Sequence, residues 1–360
     1  MESKAHSFKE ILSRFNIDTD IELYGNGHIN DTYLCETSPR CILQRINTNA
    51  FKDPDAVMEN ICNVTEHLRA KIIEAGGNPE RETMNVIPTK TGELFYRAPD
   101  GEAFRVYKFI EGSVSYDEAP NPDVLTNAGK AFGKFQKMLS DFPAEKLHET
   151  IVDFHNTPVR VKQLQEAMKN NLSGRLEKVS EEIKFALDYS RYSAEITDAI
   201  ESGDVLLRVT HNDTKLNNVL FDEATDEGIC VIDLDTVMPG SLLYDFGDAL
   251  RFGASSCAED ETDMSKIYFD LEKYEAFAKG FLGELGANLT KKEVELLPLS
   301  ALIITYECGI RFLADYINGD TYFKIHKENH NLDRARNQFA LVADIEKKLS
   351  EMAEIAQKYL

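Results

Sequence analysis

The chain has 360 residues, with 62 acidic against 40 basic side chains and a formal net charge of -22. A molecule so negative repels DNA, RNA and anionic membranes unless a local basic patch overrides the field, and no such patch is visible. A small molecule is therefore the expected partner, and a monomer the expected state. The length suffices for two domains or one two-lobed unit with a packed core.

The six cysteines form no Cys-x-x-Cys pair and keep mostly apolar neighbours, so free buried thiols in a reducing cytoplasm are expected. The first residues lack the apolar core of a signal peptide. No apolar run approaches the ~20 residues that span a bilayer, so the expectation is a soluble, cytoplasmic protein.

In chain order, Ser7 can cap a short helix through Phe15, with Phe8, Ile11, Leu12 and Phe15 on one face. Strands are predicted over 21–24, 29–36 and 41–47, followed by a long helix over 55–75 that Gly76-Gly77 stops. Further strands fit 85–87, 94–97 and 103–110, and Glu111-Gly112-Ser113 then interrupts the pattern as a candidate hinge. Beyond it the periodicity is mostly helical: a stripe from Leu125 to Leu139, then 158–170, 177–202, 244–252, 271–285, 291–317 and 332–358. The prediction is an α+β, protein-kinase-like two-lobed fold. Residues 1–111 form a small β-rich lobe with one long helix, and residues 112–360 a larger, mainly helical lobe.

The chemistry concentrates in Thr210-His211-Asn212-Asp213-Thr214-Lys215-Leu216-Asn217-Asn218, answered by Ile232-Asp233-Leu234-Asp235. An Asx-rich turn would not by itself require Asp and Asn five apart with a further Asp ending an apolar strand. That spacing is the acid layout of kinase-fold phosphotransferases, where the first Asp orients the attacking hydroxyl and the Asn and later Asp hold magnesium on the phosphates. Asp213 is thus the expected base and Asn218 with Asp233 the expected Mg2+ pair. Lys215 is placed to meet the γ-phosphate of ATP, and His211 to hold the loop. Asp233 and Asp235 would share a face of a regular strand, leaving Asp235 to assist the metal or bind the acceptor. Asp245 and Asp248 come too late to repeat the motif and read as helix caps.

Upstream, Gly25-Asn26-Gly27 sits between two strands, where backbone N–H groups could approach phosphates without a side chain in the way. Glycines in a hairpin are as a rule only turn residues, and Asn30 stands where the kinase loop has its third glycine. The strand after it has no lysine. Gln44 and Arg45 are the candidates for the phosphate contact, alternation lets only one point inward, and Arg45 is the expected cation. Glu59 and Glu66 remain equal candidates for its acidic partner. Phe109 and Ile110, before the hinge, are expected to touch the nucleotide, with lobe closure about 109–113.

These residues and their flanks resemble the aminoglycoside phosphotransferase/choline kinase superfamily, and within it the N-acetylhexosamine 1-kinase group. The similarity runs through Tyr-Gly-Asn-Gly-His-Ile-Asn (24–30), Arg-Val-Tyr-Lys-Phe-Ile-Glu (105–111), the catalytic stretch, Asp-Phe-Gly-Asp (245–248), Arg-Phe-Gly-Ala-Ser (251–255) and Glu-Cys-Gly-Ile-Arg-Phe-Leu-Ala-Asp-Tyr (307–316). The resemblance implies transfer of the ATP γ-phosphate to the 1-hydroxyl of GlcNAc or GalNAc. It implies a sugar site lined by Thr236, Phe252, Arg311 and Tyr322, with His28 reaching over it. The plain alternatives are a core position for Phe252 and an i,i+4 pair of Arg311 with Asp315.

Other hydroxyl acceptors, such as an aminoglycoside, choline or homoserine, compete with this reading. The absence of Trp counts against a quaternary-ammonium cage, and Arg311 would repel a polycation. A nucleotide-binding pseudokinase would be expected to have lost one of Asp213, Asn218 and Asp233.

Overall fold

The computed structural model describes residues 8–25 and 29–360. The expected cap Ser7 and the turn residues Asn26, Gly27 and His28 lie outside that range.

Helix α1 (Phe8–Arg14) lies on one face of an antiparallel sheet built from β1 (Ile21–Leu23), β2 (Asp31–Cys35) and β3 (Cys41–Ile46). Helices α2 (Pro54–Glu74) and α3 (Pro79–Glu82) follow, and then β4 (Val86–Ile87), β5 (Tyr96–Arg97) and β6 (Ala103–Lys108) complete the sheet in the order β1-β2-β3-β6-β4, with β5 also on β6. The register sets Gln44 opposite Arg105. Alternation then gives the sheet two characters. Cys41, Leu43, Phe104 and Val106 pack with Ile11 and Leu12 of α1 and with Phe15 just after it, while Ile46, Ala103 and Tyr107 join the main core below. Helix α2 begins where Asp53 accepts the amides of Asp55 and Ala56, with Pro54 at its first turn. Its buried stripe Val57, Ile61, Val64, Leu68 and Ile72 also belongs to the main core.

Past Gly112, whose φ is 63°, strand β7 (Ser113–Val114) pairs with β9 (Val219–Asp222) rather than with the first sheet. The larger part contains α4 (Pro122–Met138), α5 (Thr157–Asn170), α6 (Ser180–Tyr189) and α7 (Glu195–Glu201). Next come β8 (Arg208–Thr210), β9, β10 (Gly228–Val231) and β11 (Met238–Gly240), then α8 (Leu242–Gly253), α9 (Leu271–Leu285), α10 (Lys291–Asn318) and α11 (His330–Gln357). The fold is α+β, a small sheet region followed by a larger helical part.

The single helix expected over 177–202 is broken. A 3-10 turn, Ser190–Tyr192, separates α6 from α7. The Ser190 hydroxyl donates back to the Leu187 carbonyl at 2.7 Å, and the Tyr189 and Tyr192 hydroxyls both reach Glu346 on α11. Those tertiary bonds, invisible to periodicity, decide the bend. All six cysteines are free thiols. By length and hydropathy α10 has the makings of a membrane span, contrary to the expectation that no run approaches one, but 89% of its apolar window is buried. It is the central core helix, started by a capping box of Thr290 and Glu293.

Helices α4 and α9 approach through glycines. A Cβ on Gly280 would overlap the Thr126 carbonyl oxygen and come within 2.7 Å of the Lys130 amide nitrogen. The obstacle is backbone, which cannot rotate away. Gly280→Ala should therefore destabilise the protein by ~1–3 kcal/mol, measured as a lower urea midpoint. An unchanged midpoint would mean that the two helices separate at no cost.

Candidate active site

Strands β8 and β11 pair side by side and deliver the loop 211–218 between them and α8. Arg208 anchors its entry through a bidentate contact with the fully buried Glu293, at 3.0 Å to each oxygen. Asn212 then takes φ 63°, a left-handed turn that Asn tolerates better than most residues.

What holds this turn is Asp245. Its carboxylate accepts the backbone amides of His211 at 3.0 Å and Asn212 at 2.7 Å, and the Gln136 side-chain amide at 2.6 Å. Asp248, one turn on, accepts the Thr214 amide at 3.0 Å. The expectation that these two acids cap a helix is corrected. Helix α8 begins at Leu242 with Ser241 as its cap, so Asp245 and Asp248 fall inside it and face the loop. Burial pushes the Asp245 carboxyl up, against the His211 side chain and the amides it accepts.

His211 lies edge-on to Phe132 and Phe135. Its Nδ1 accepts the Asp213 amide at 3.2 Å, which leaves Nε2 to donate to the Ile232 carbonyl at 2.8 Å. It ties the loop to the end of β10. Asp213 Oδ1 meets Lys215 Nζ at 2.8 Å. Burial raises the Asp213 carboxyl, but Lys215, aided by Arg251, outweighs it and holds the group below the usual carboxylate value. Asp213 is therefore ionised at neutral pH. Lys215 in turn is raised by Asp213 against the cost of burial, and its ammonium sits 5.4 Å from the Phe252 ring centre.

Asn218 donates to the Asp213 carbonyl at 2.8 Å. Asp233 does not continue a strand: β10 ends at Val231, Asp233 turns with φ 60°, and residues Leu234–Thr236 form a 3-10 helix. The shared strand face expected for Asp233 and Asp235 is thus absent. Asp233 is pushed up to about 6 by burial, then by Asp235 and Asp213. Among the described residues no hydrogen-bond donor or cation reaches its carboxylate, and no cluster of three His, Cys, Asp or Glu side chains holds a metal by itself. A divalent ion that takes one carboxylate and an amide oxygen, and completes its octahedron with phosphates and water, fits this donor set. Asp233 and the Asn218 Oδ1 would hold it.

The cation expected on β3 is elsewhere. Arg45 lies on the α1 side of the sheet, exposed, in ion pairs with Asp31 and with Glu102 at 2.7 Å. Gln44 points inward but is uncharged. Opposite it, the buried Arg105 of β6 donates to Gln44 Oε1 at 2.9 Å and meets Asp235 Oδ1 at 2.5 Å. Neither helix acid is its partner: Glu59 faces His148 at 2.9 Å, and Glu66 is exposed. Sequence reasoning missed Arg105, although a charge in the middle of the otherwise apolar Ala103-Phe-Arg-Val-Tyr run was a signal. Asn30 joins the same group, donating to Asp235 Oδ2 at 2.7 Å and accepting the Asn47 amide at 2.9 Å. The residue standing in for the third glycine thus ties the start of β2 to Asp235. Gly25 has φ 72°. Phe109 packs its ring between Tyr24 and the Arg40 guanidinium, and the buried Ile110 gives its carbonyl to the Ser113 hydroxyl at 2.6 Å.

On the acceptor side the expected residues divide. Thr236 is buried, and its hydroxyl donates to the His211 carbonyl at 2.6 Å, so it supports the loop from beneath. Phe252 is half-buried under the Arg251 guanidinium, 3.7 Å from its ring centre. Arg311 does not pair with Asp315. It sits among the rings of Phe154, Tyr322 and Phe323, 5.6, 6.0 and 5.6 Å from their centres. Asp315 instead accepts the consecutive amides of Thr321, Tyr322 and Phe323, and the Asn331 side chain. It pins the loop that carries two of those rings. Behind them, His155 Nδ1 meets Glu307 at 2.9 Å and its Nε2 meets the Asn212 carbonyl at 3.1 Å. Both partners only accept, so the ring is a cation. Burial works to lower its value, but Glu307 outweighs it and raises it. Glu307 is in turn held down by His155 against its own burial.

The phosphotransferase enzyme family (APH) model matches residues 20–277. The chain belongs to that family and is a small-molecule phosphotransferase. Among solved structures it is similar to a microcompartment-associated aminopropanol kinase (17% identity, TM-score 0.66, 96% of this chain and 98% of the other). It is also similar to an aminoglycoside phosphotransferase from Alicyclobacillus acidocaldarius (12%, 0.60, 98% of each chain). A third is the amicoumacin kinase hAmiN, solved with AMP-PNP and Ca2+ (14%, 0.58, 95% and 94%). At these identities the likeness is one of fold.

Two outcomes follow from the loop's supports. Asp245→Asn must turn an NH2 toward a backbone N–H, and should lower kcat about 10- to 100-fold through misplacement of Asp213, with nucleotide KM little changed. An unaltered kcat would show that the loop holds itself. The His155 value is raised above 6.5, so the stability it contributes is full below pH 6.5 and fades as pH rises through its folded value. Glu307 is lowered below 4.5, so its share is lost only on acidification through the folded value. The urea stability gap between wild type and His155→Gln should be widest at pH 5–6 and shrink at pH 9; a constant gap would contradict the pairing.

Proposed function

We propose that this protein is an ATP-dependent kinase, using Mg2+, that phosphorylates the anomeric hydroxyl of an N-acetylhexosamine, GlcNAc or GalNAc. The observation that carries the reaction type is the ionised Asp213 beside Lys215, with Asn218 on the same loop and the uncompensated Asp233 opposite. Asp213 orients the hydroxyl and takes its proton as the oxygen–phosphorus bond forms and the bond to the ADP oxygen breaks. The anomeric hydroxyl is more acidic than an ordinary alcohol, so a carboxylate suffices as base. Lys215 lies close enough to transfer its contact from Asp213 to the charge developing on the γ-phosphate. Magnesium, held by Asn218 and Asp233, would supply charge neutralisation on the phosphates. Arg105 supports the same reading from the sheet, offsetting Asp235 beside Asp233.

The acceptor reading rests on the motif resemblance at 251–255 and 307–322, and on the aromatic cup about Arg311. Aromatic rings can pack a sugar face, and a guanidinium without a carboxylate partner can donate to ring hydroxyls or an N-acetyl carbonyl. The similar structures include an aminopropanol kinase and an aminoglycoside phosphotransferase. A cationic amine of that kind would meet Arg311 at the cup, which favours an uncharged or anionic acceptor here. The parts 1–111 and 112–360 act as lobes that close about residues 109–113.

An ATP-consumption screen over free sugars, with phosphorus NMR of the product, tests this directly. The expected product carries phosphate at C1. Asp213→Asn should lower kcat by at least ~100-fold while still binding nucleotide. Phosphate at C6, or no turnover with any N-acetylhexosamine, would overturn the acceptor.

A further inference from the structure

In this acidic protein nearly every guanidinium has a carboxylate within ion-pair distance. That holds for Arg14, Arg40, Arg45, Arg69, Arg81, Arg97 and Arg105, and for Arg175, Arg191, Arg208, Arg251, Arg334 and Arg336. Arg160 and Arg311 have none among the described residues, and they share one neighbour. Arg160 donates to the Phe154 carbonyl at 2.9 Å, and Arg311 sits 5.6 Å from the Phe154 ring centre. The next residue, His155, bonds the Asn212 carbonyl beside the catalytic aspartate.

We propose that Arg160 and Arg311 form an oxyanion subsite beside the aromatic cup about Arg311, taking the carboxylate or phosphate of a small ligand. The proposal rests on the acceptor reading given above. The remaining polar contacts of Arg160 are neutral, to Phe154 O and to Gln163 Oε1 at 3.0 Å, and its Nε is buried without a hydrogen-bond partner. The carboxylates nearby are committed elsewhere: Glu307 to His155 and Thr157, and Asp153 to Asn156. Burial and the Arg311 charge together lower the Arg160 value. Two guanidiniums that share a neighbour repel each other, and a planar oxyanion between them offsets that repulsion through charge-assisted hydrogen bonds. A lysine pair would offer no such fork. Positive charge in a field this negative is also selective, since few other places on the surface would hold an anion.

The ligand's anion could belong to the acceptor ring itself or to a separate molecule that competes with the acceptor. Isothermal titration of the nucleotide-free protein at low salt separates the two. D-glucuronate is compared with D-glucose, which differs by a hydroxymethyl in place of the carboxylate, and inorganic phosphate is titrated alone. The expected result is that at least one anion binds about tenfold or more tightly than D-glucose, and that Arg160→Gln removes that margin with the KM for ATP within about twofold of wild type. Arg311→Lys, which keeps charge but not the fork, should weaken the anion likewise and guards against a folding defect in the first variant. Tight D-glucuronate places the anion on the acceptor; phosphate alone places it on a separate ligand. No preference for either anion over D-glucose, or a preference undiminished in both variants, overturns the subsite. Because no turnover is involved, failure of N-acetylhexosamine phosphorylation would leave this result standing.

Discussion

The carboxylate of Asp245 is the contact on which the active loop depends. It converts two backbone amides that would otherwise be buried without partners into charge-assisted hydrogen bonds. In doing so it fixes the left-handed turn at Asn212 that sends Asp213 outward. A strained turn persists only where its surroundings over-determine it. Here they do: Asp248 takes the Thr214 amide, Thr236 and His155 bond the carbonyls of His211 and Asn212, and the Asn212 side chain is held by the Thr236 carbonyl at 2.9 Å. Asp213 is therefore positioned by α8 and the 3-10 turn after β10 together with its loop neighbours His211, Lys215 and Asn218.

A second buried acid, Asp235, does for the two parts of the protein what Asp245 does for the loop. Arg105 from β6 and Asn30, just before β2, both end on it. A buried ion pair is weak support for net stability, because desolvation offsets much of the attraction. Its worth lies in geometry: it sets the height of the sheet over the acid cluster. Asp233, one turn away, has no such partner, and its value near 6 reflects first its burial and then the neighbouring carboxylates of Asp235 and Asp213. Within three residues, one acid is thus paired by the protein and the other is not.

The surroundings of Arg311 follow a similar division of labour. Asp315 holds the backbone of 321–323, and so the rings of Tyr322 and Phe323, while Arg311 keeps its donors free of any carboxylate. Had the i,i+4 pair of Arg311 and Asp315 formed, both the cup and the cation would be lost together. Charge that looks locally complementary on a helix is redirected once a loop with unpaired amides packs against it.

Much of this molecule could be read from residue order. Helices α2, α4, α5, α9, α10 and α11 and the main strands follow from periodicity, caps and glycine stops, because those signals act within a few residues. The spacing of Asp213, Asn218 and Asp233 was legible for the same reason, and the structure brings the three together. Side-chain partners were not. Arg45 and Gln44 differ only in which face alternation gives them, and that is set by the core beneath the sheet. Asn30 and Asp235 are 205 residues apart, and Asp245 needed the true start of α8 before it could be recognised as the loop's support. Sequence by itself determined most of the elements, the order of the acids and the strongly negative net charge, since each depends on local spacing or composition. Only the tertiary structure decided which acid holds which amide and which arginines stay unpaired, because burial and opposing faces choose partners across distances that no periodicity records.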